Sequence, residues 1–256
     1  MKETGISFMV RIRNEEKTLE QSILSLFGLT IPHEINLILH RCTDRSLEIA
    51  NKLANSNKHI KIYTYDKEIS RAGYENLATD AESDHSFVKY SNFCLSKCNL
   101  AWLFRWDADF IASHQLIQVL NTRTWTEENS LYKIHAINST SKNCEAYLTS
   151  CLINYTKYLF WEVASYIPNH KTYTLDENTH IIHSSELSDI KTYWKEEPWY
   201  LTEDSDEARL VKARIQLLVK NYGNEPEGMA RASNPECDKH YLNIVYSKPS
   251  YVNFYS

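Results

Sequence analysis

Apolar residues in the first part of the chain alternate between short β-prone runs and segments with helical spacing. The run from Ile6 to Val10 is apolar and β-prone, and the segment Asn14 to Glu16 after it predicts a helix start, with Asn14 as the cap and two acids in the first turn. Apolar residues from Leu19 to Phe27 then recur at helical spacing. The pattern predicts a strand, a loop and a helix.

The same order repeats further along the chain. The pattern predicts a strand at Glu34 to His40, a cap at Cys42 to Asp44, a helix at Leu47 to Leu53, a strand at Ile60 to Tyr65, a helix at Ser86 to Lys97 and a strand at Asn99 to Trp106. Strands that alternate with helices imply a mostly parallel sheet with right-handed crossovers, whose ligands collect at the carboxyl ends of the strands.

The second half of the chain has a weaker pattern. It predicts a helix at His114 to Leu120, strand-like segments at Leu131 to Ile137 and Tyr173 to His183, and a last helix that begins near Asp204, where Asp204 and Glu207 form a variant of a capping box. Beyond Tyr222 the periodicity ends. We expect a loop and a packed tail there.

Composition narrows the class of protein. The 256 residues suit a single α/β domain, and the net charge of -5 provides no field for holding nucleic acid. Six cysteines include no Cys-x-x-Cys pair or zinc-type spacing, so we expect reduced thiols. The sequence shows neither a secretory signal nor an apolar run of membrane-spanning length. We therefore expect a cytoplasmic protein; peripheral attachment to a membrane and the oligomeric state stay open.

The triplet Asp107-Ala108-Asp109 is the strongest chemical signal in the chain, because it follows the apolar and aromatic run Ala101 to Trp106. Carboxylates two residues apart at the end of a strand can point into one crevice. Such oxygen ligands suit Mg²⁺ or Mn²⁺ bound to a substrate phosphate. The alternative is a solvated turn, where aspartate is common for local hydrogen bonding.

Three segments together resemble the nucleotide-binding half of family 2 glycosyltransferases of the GT-A fold: Ile6 to Glu16, Glu34 to Asp44, and the strand that ends in the Asp-Ala-Asp triplet. The resemblance implies an α/β GT-A (Rossmann-like) fold, with a mostly parallel central sheet flanked by helices and a C-terminal helical extension. It implies one domain over 1–256, with a nucleotide- and metal-binding half at 1–112, an acceptor-binding half at 113–222, and a loop and tail at 223–256.

The resemblance also implies a set of binding residues. The loop after the first strand and the end of the second strand would hold the base and ribose through Arg11, Arg13, Asn14, Glu15 and His40. Asp107 and Asp109 would hold the diphosphate and a divalent metal, Mn²⁺ or Mg²⁺. Many family members carry an acid where this chain has His40, so UDP, GDP and dTDP stay open as the nucleotide. Helix capping by Asn14 and a loop hydrogen bond from His40 are the plain alternatives.

Arg71 is a further candidate. Its forked guanidinium could hold a phosphate, and a surface ion pair is the alternative.

The second half resembles the family in one further pattern. Phe160-Trp161-Glu162, followed by His180-Ile181-Ile182-His183, is similar to a pattern in which the glutamate is the catalytic base and a later histidine approaches the metal. His180 and His183 face opposite sides of a strand, so a single metal would take one of them, and we choose His183 by position. Instead of a metal ligand, His183 could be a histidine of the core. Instead of the catalytic base, Glu162 could be an acid paired with a lysine.

Two rivals exist for the base. Thr202-Glu203-Asp204 resembles the Glu-Asp pair of some relatives, so Glu203 and Asp204 are candidates, with helix capping as the alternative for Asp204.

These observations lead to one functional hypothesis and two alternatives. The hypothesis is a metal-dependent glycosyltransferase that moves a sugar from a nucleotide-diphosphate sugar to a hydroxyl of a glycan, lipid-linked or protein acceptor in surface glycan or polysaccharide synthesis. The resemblance to the family implies that the transfer inverts the anomeric centre. The first alternative is a nucleotidyltransferase on a sugar phosphate, although Val10 to Asn14 lacks the glycine-rich loop of such enzymes. The second alternative is a non-catalytic module that binds nucleotide sugars.

Overall fold

A computed structural model describes residues 3–71, 73–124, 130–138, 144–149, 171–175, 180–183 and 197–225. The chain divides into two compact units. The first comprises Met1–Lys67, Asn92–Asn154 and Ala164–Lys195, and the second comprises Glu68–Ser91, Tyr155–Val163 and Glu196–Ser256. Each unit is described by itself, and the sequence-based limits of the nucleotide-binding and acceptor-binding halves stay predictions.

Four parallel strands form the centre of the first unit, in the order β3-β2-β1-β4. They are β1 (Glu3–Ile12), β2 (His33–His40), β3 (Ile60–Tyr65) and β4 (Leu100–Asp107). The central strands β1 and β2 are buried along most of their length, which explains why their sequences read as nearly continuous apolar runs. All four strands were predicted from the sequence.

Five further strands extend the sheet beyond β4. They are β5 (Phe110–Ala112), β6 (Ser130–Asn138), β7 (Cys144–Thr149), β8 (Lys171–Thr174) and β9 (His180–His183). Strand β7 is antiparallel to β4 and β6, β5 is antiparallel to β9, and β6 is parallel to both β8 and β9. The predicted α/β fold with a mostly parallel sheet is confirmed. The strand-like segment predicted at Tyr173 to His183 contains two strands, since β8 covers its start and β9 its end.

Helices connect these strands and build the second unit. The helices of the first unit are α1 (Leu19–Leu24), α2 (Ser46–Ser56) and α5 (His114–Thr122), while α4 (Phe87–Ser96) contains the division between the units. The second unit contains α3 (Tyr74–Ala78), α6 (Trp199–Thr202) and α7 (Asp206–Tyr222). No helix among the described residues is both long and apolar enough to cross a bilayer.

An aromatic cluster fills the core of the first unit next to the end of β4. The ring centroid of Phe8 lies 5.4 Å from that of Phe104 and 5.9 Å from that of Trp106. Trp106 meets Phe110 edge to face with centroids 5.6 Å apart. These rings are almost fully buried, so the acidic triplet between Trp106 and Phe110 is anchored on both sides by packed aromatic side chains.

The predicted starts of three helices are wrong. Asn14 does not cap α1: the helix begins at Leu19, after the N-cap Thr18. Helix α2 begins after Arg45, and the Asp44 carboxylate accepts from the backbone N of Ser46 at 2.9 Å.

The third correction concerns α7. Its cap is Ser205, whose side chain accepts from the Ala208 backbone N, so the predicted Asp204–Glu207 capping box is wrong. Serine and aspartate are both favoured at caps, and the sequence offers them side by side.

A separate apolar core holds the second unit together. Tyr74, Leu77, Trp199, Val211 and Leu218 pack together and are almost fully buried. Ala208, Val211 and Leu218 of α7 supply one face of this core.

Candidate functional site

The carboxyl ends of the parallel strands meet at one edge of the sheet, as they must in a parallel arrangement. Arg11, near the end of β1, is in register with Ile38 of β2 on one side and with Asp107 of β4 on the other. The loops after β1 and β2 and the acidic turn after β4 therefore share this edge. Here the first unit brings together the residues predicted to bind nucleotide and metal, with the exception of Arg71.

Two hydrogen bonds join the loop after β1 to the loop after β2. Asn14 has a left-handed backbone (φ 56), a conformation that asparagine tolerates better than most residues. Its side-chain oxygen accepts from the Thr43 backbone N at 2.7 Å, and its amide donates to the Thr43 hydroxyl at 3.1 Å. The side chain that was predicted to start a helix instead joins two loops.

Three more bonds strengthen this connection. The backbone N of Glu15 donates to the Ser46 hydroxyl at 2.8 Å, and that of Glu16 donates to the Asp44 carboxylate at 2.9 Å. In return, the Glu16 carboxylate accepts from the Arg45 backbone N at 3.1 Å. We refer to these bonds and the Asn14–Thr43 pair together as the loop clasp. The Glu15 carboxylate is buried and accepts from the Thr18 hydroxyl at 2.9 Å.

His40 is a neutral histidine at the end of β2. Its side chain is buried, and burial, followed by the charge of Arg13, lowers its pKa to about 3. Its Nε2 lies 2.9 Å from the Lys67 carbonyl oxygen, so Nε2 carries the proton and donates it there. The Arg13 guanidinium lies 3.5 Å from the His40 carbonyl oxygen. His40 therefore makes the hydrogen bond to a neighbouring loop that the sequence offered as the alternative to nucleotide contact.

The acidic triplet forms a tight turn between β4 and β5. Strand β4 ends at Asp107, and β5 begins at Phe110. The Asp109 residue is 8% exposed, whereas the Asp107 side chain is 42% exposed, with its carboxylate 3.9 Å from Arg105 Nε. An ion pair as long and exposed as this one contributes little. The turn thus holds one buried and one half-exposed carboxylate two residues apart.

Ser22 of helix α1 and Ser25, the residue that caps the C-terminal end of that helix, support this turn from both sides. The Ser22 hydroxyl accepts from Trp106 Nε1 at 2.9 Å and lies 3.5 Å from the Asp107 carbonyl oxygen. The Ser25 hydroxyl accepts from the Ala112 backbone N at 3.0 Å. The bonds hold β4 before the turn and β5 after it. Sequence reasoning missed both serines, because a small polar residue in an amphipathic helix carries no recognisable pattern.

The acidic turn fits a divalent cation whose remaining coordination positions are filled by a bound ligand. No group of three or more His, Cys, Asp or Glu side chains suited to a metal occurs among the described residues. Mg²⁺ in particular usually takes one or two carboxylates and fills its other positions with water and phosphate oxygens. Asp107 and Asp109 supply such a pair. The backbone of His183 pairs with Phe110, directly after Asp109, which places the predicted histidine on the strand beside the turn.

The remaining predicted residues lie elsewhere. Arg71 and Asp204 belong to the second unit, and Glu162 lies outside the described residues. The Arg71 side chain is mostly buried, with Nε 3.9 Å from the Glu75 carboxylate. The Asp204 side chain is exposed and forms an ion pair with Arg209. The catalytic role of Glu162 or Asp204 and the phosphate contact of Arg71 stay predictions.

Glu203, the other rival for the base, lies in a more ordered setting than Asp204. Its carboxylate is 3.4 Å from His85 Nε2. The His85 ring stacks on Trp199 with centroids 3.8 Å apart, and Trp199 Nε1 donates to the Ser70 hydroxyl at 2.9 Å. The carboxylate of Glu203 is therefore half-exposed and oriented by a buried imidazole within the second unit.

The sheet order and the acidic turn at the end of β4 define a GT-A-like α/β fold. Two solved structures share it: the mannosyltransferase PcManGT from Pyrobaculum calidifontis in complex with GDP-Man and Mn²⁺ (TM-score 0.53, 10% identity, 98% of this chain and 83% of that chain) and S. aureus TarS 1-349 in complex with UDP-GlcNAc (TM-score 0.50, 14% identity, 95% and 79%). At these identities the likeness concerns the fold.

A longer S. aureus TarS structure aligns with the whole of this chain, which spans 49% of the TarS chain (TM-score 0.49, 13% identity). Comparisons with protein-family models and with the sequences of curated proteins give no match.

Proposed function

We propose that this protein is a metal-dependent glycosyltransferase that moves a sugar from a nucleotide-diphosphate sugar to an acceptor hydroxyl. The observation that carries the proposal is the acidic turn at the carboxyl end of β4, next to Arg11 and the loops after β1 and β2. Carboxylates in this place suit a divalent cation bound to a diphosphate. The fold shared with PcManGT, which is in complex with GDP-Man and Mn²⁺, supports the same ligand class.

In this proposal the first unit binds the donor. Asp107 and Asp109 hold the metal, with His183 as a further candidate beside them. The bound metal would supply positive charge to the leaving diphosphate. Arg11, Arg13, Asn14, Glu15 and His40 lie in or next to the loops that would surround the base and ribose. Because His40 is neutral, it would recognise the nucleotide by hydrogen bonding or packing rather than by charge.

The proton of the acceptor hydroxyl needs a base. Glu162 and Asp204 are our candidates, and a carboxylate of either can accept that proton as the new glycosidic bond forms. Arg71 is the proposed phosphate contact in the second unit. We further propose membership of glycosyltransferase family 2, inversion at the anomeric carbon, a glycan, lipid-linked or protein acceptor, and a cytoplasmic enzyme with peripheral attachment to a membrane.

Thermal stabilisation by nucleotides tests donor binding. UDP, GDP, dTDP and CMP are each added with and without Mn²⁺, since a ligand of the folded state raises the melting temperature by mass action. We expect one nucleoside diphosphate to raise it only with Mn²⁺, and Asp109→Asn to abolish that rise. Asp66→Asn, an exposed aspartate just after β3, is the matched control and should respond as the wild type does.

If a nucleotide still raises the melting temperature of folded Asp109→Asn protein, the acidic turn is not part of the nucleotide-binding site. The absence of a response to every nucleotide in the wild type would overturn the proposed donor class.

A further inference from the structure

Arg105 is a charged side chain on a strand in the interior of the sheet. Strand β4 lies between β1 and β7, and strands of a parallel sheet are normally covered on both faces. Phe104 and Trp106, on either side of Arg105, are fully buried, whereas the Arg105 side chain is 43% exposed. The cover over one face of β4 therefore ends before Arg105.

The exposed face continues to the acidic turn. Side chains two positions apart on a strand share a face, so Arg105 and Asp107 follow one another on the same face of β4, about 6.6 Å apart along the strand. Leu103, two positions further back on this face, is buried. The open part of the face thus begins at Arg105 and leads to the carboxylates that are proposed to hold a metal.

A surface ion pair does not account for Arg105. Its Nε lies 3.9 Å from the Asp107 carboxylate, which is too long for a hydrogen bond, and an exposed pair of this kind contributes little to stability. Within the part of the chain that the structure describes, the guanidinium makes no hydrogen bond. A guanidinium is always charged and carries five N–H donors in a planar fork, so these donors are available to a ligand.

The charge at this edge of the sheet indicates the kind of ligand. A divalent cation and the two carboxylates of the acidic turn balance one another in charge, so a diphosphate bound there keeps its own negative charge. A guanidinium fork matches the geometry of phosphate oxygens and binds them in pairs. We propose that Arg105 is a phosphate-binding residue that contacts the diphosphate of a ligand held at the acidic turn. The choice of a diphosphate rests on the proposed function.

Binding of phosphate compounds to the full chain tests this role. Isothermal titration calorimetry measures the dissociation constants of UDP, GDP, dTDP and inorganic pyrophosphate in the presence of Mn²⁺. The monophosphates UMP, GMP and dTMP report on the rest of the nucleotide, and inorganic phosphate with and without Mn²⁺ reports on a simple anion site. Pyrophosphate makes the test independent of which base the protein prefers.

We expect Arg105→Gln to weaken binding of pyrophosphate and of the preferred nucleoside diphosphate roughly tenfold or more. The corresponding monophosphate should lose much less, whereas a variant that merely disturbs the site would weaken both nucleotides alike. Arg105→Lys keeps the charge without the fork and should lie between wild type and Arg105→Gln.

Arg123→Gln is the matched control, because Arg123 is an exposed arginine of the same unit at the C-terminal end of α5. It should bind each compound as the wild type does. Far-ultraviolet circular dichroism and the melting temperature without ligand report whether each variant folds.

The inference is overturned if folded Arg105→Gln binds nucleoside diphosphate and pyrophosphate as the wild type does, if it loses monophosphate and diphosphate equally, or if the wild type binds neither diphosphate compound. Inorganic phosphate that needs Arg105 but not Mn²⁺ would indicate an anion site unrelated to the acidic turn and would also overturn it.

The inference and the proposed function fail separately. Pyrophosphate that binds with Mn²⁺ and needs Arg105, while no nucleotide binds, would support the role of Arg105 and overturn the proposed donor class. Metal-dependent nucleotide binding that Arg105→Gln leaves unchanged would keep the donor class and remove Arg105 from the site.

Discussion

At the residue scale, the partners of a buried titratable group decide its charge. Burial alone disfavours ionisation of Glu34, but its carboxylate accepts from the Asn99 backbone N at 2.6 Å, from Lys61 Nζ at 2.9 Å and from the Ser7 hydroxyl at 2.8 Å. These bonds outweigh burial and lower its pKa to about 2. Glu75 is buried with fewer donors, and its pKa moves in the opposite direction.

Glu34→Gln should destabilise the protein by roughly 1–3 kcal/mol at neutral pH, because the amide replaces an acceptor with a donor that faces other donors. The folded pKa lies below the ordinary value of 4.5, so the stabilisation is present above that value and is lost as the pH falls towards about 2. The difference in the free energy of unfolding between wild type and variant should therefore shrink over that range. Urea denaturation at a series of pH values measures it.

Glu48→Gln, at an exposed position of α2, is the control and should differ little from wild type at any pH. A difference for Glu34→Gln that stays constant between neutral and acidic pH would contradict the assigned cause.

Single residues were predictable where they carry chemistry in a recognisable pattern, and unpredictable where they act through distant partners. Asp107 and Asp109 stood out because they follow a strand, and the structure places them at the predicted edge of the sheet. The network of Glu34 was not predictable, since its donors Ser7 and Asn99 are 27 and 65 positions away in the sequence. The same holds for the left-handed backbone of Asn14.

At the scale of elements, long amphipathic or fully apolar segments were predicted well. The four parallel strands and helices α2, α4, α5 and α7 carry strong patterns. Elements of a few residues were missed: α3, α6 and β5 are too short to show a period, and pairing with neighbours rather than local preference defines them. Strand β7 was also missed, because Cys144 to Thr149 has neither a clean alternation nor turn residues on both sides.

The contact between α1 and β4 has a measurable role in stability. Ser22→Ala leaves the buried Trp106 Nε1 without its acceptor and should lower the free energy of unfolding by roughly 1–3 kcal/mol. Urea denaturation followed by tryptophan fluorescence measures the change.

Ser56→Ala, at the exposed end of α2, also removes a serine hydroxyl from a helix of the first unit and should change stability by less than about 0.5 kcal/mol. Equal effects of Ser22→Ala and Ser56→Ala would show that the buried bond to Trp106 contributes no more to the free energy of unfolding than an exposed serine hydroxyl does.

For the whole molecule, the alternation of strands and helices was enough to predict the sheet, whereas the proposed site residues fall in two separate units of the chain. The acidic turn and the loops of the first unit are in place, while Arg71, Glu203 and Asp204 belong to the second. The order of residues in the sequence does not reveal how a metal, a phosphate contact and a base are combined.

The products distinguish the proposed function from its two alternatives. With the nucleotide sugar that stabilises the protein, Mn²⁺ and a pool of glycan and lipid-linked acceptors, we expect release of a nucleoside diphosphate, which ³¹P NMR detects. A nucleotidyltransferase would instead release pyrophosphate from a nucleoside triphosphate and a sugar phosphate. Metal-dependent binding with no product from any donor would indicate a binding module. Asp109→Asn should stop release, whereas Asp66→Asn should not.

The loop clasp also affects how this edge of the sheet responds to a ligand. Two loops on neighbouring strands, each held by polar atoms of the other, are already ordered relative to one another before anything binds. A ligand that touches both loops then loses little free energy to their conformational entropy, so more of its contact energy remains as affinity. Asn14 thus orders the two loops before a ligand binds, and it can do so without contacting the ligand itself.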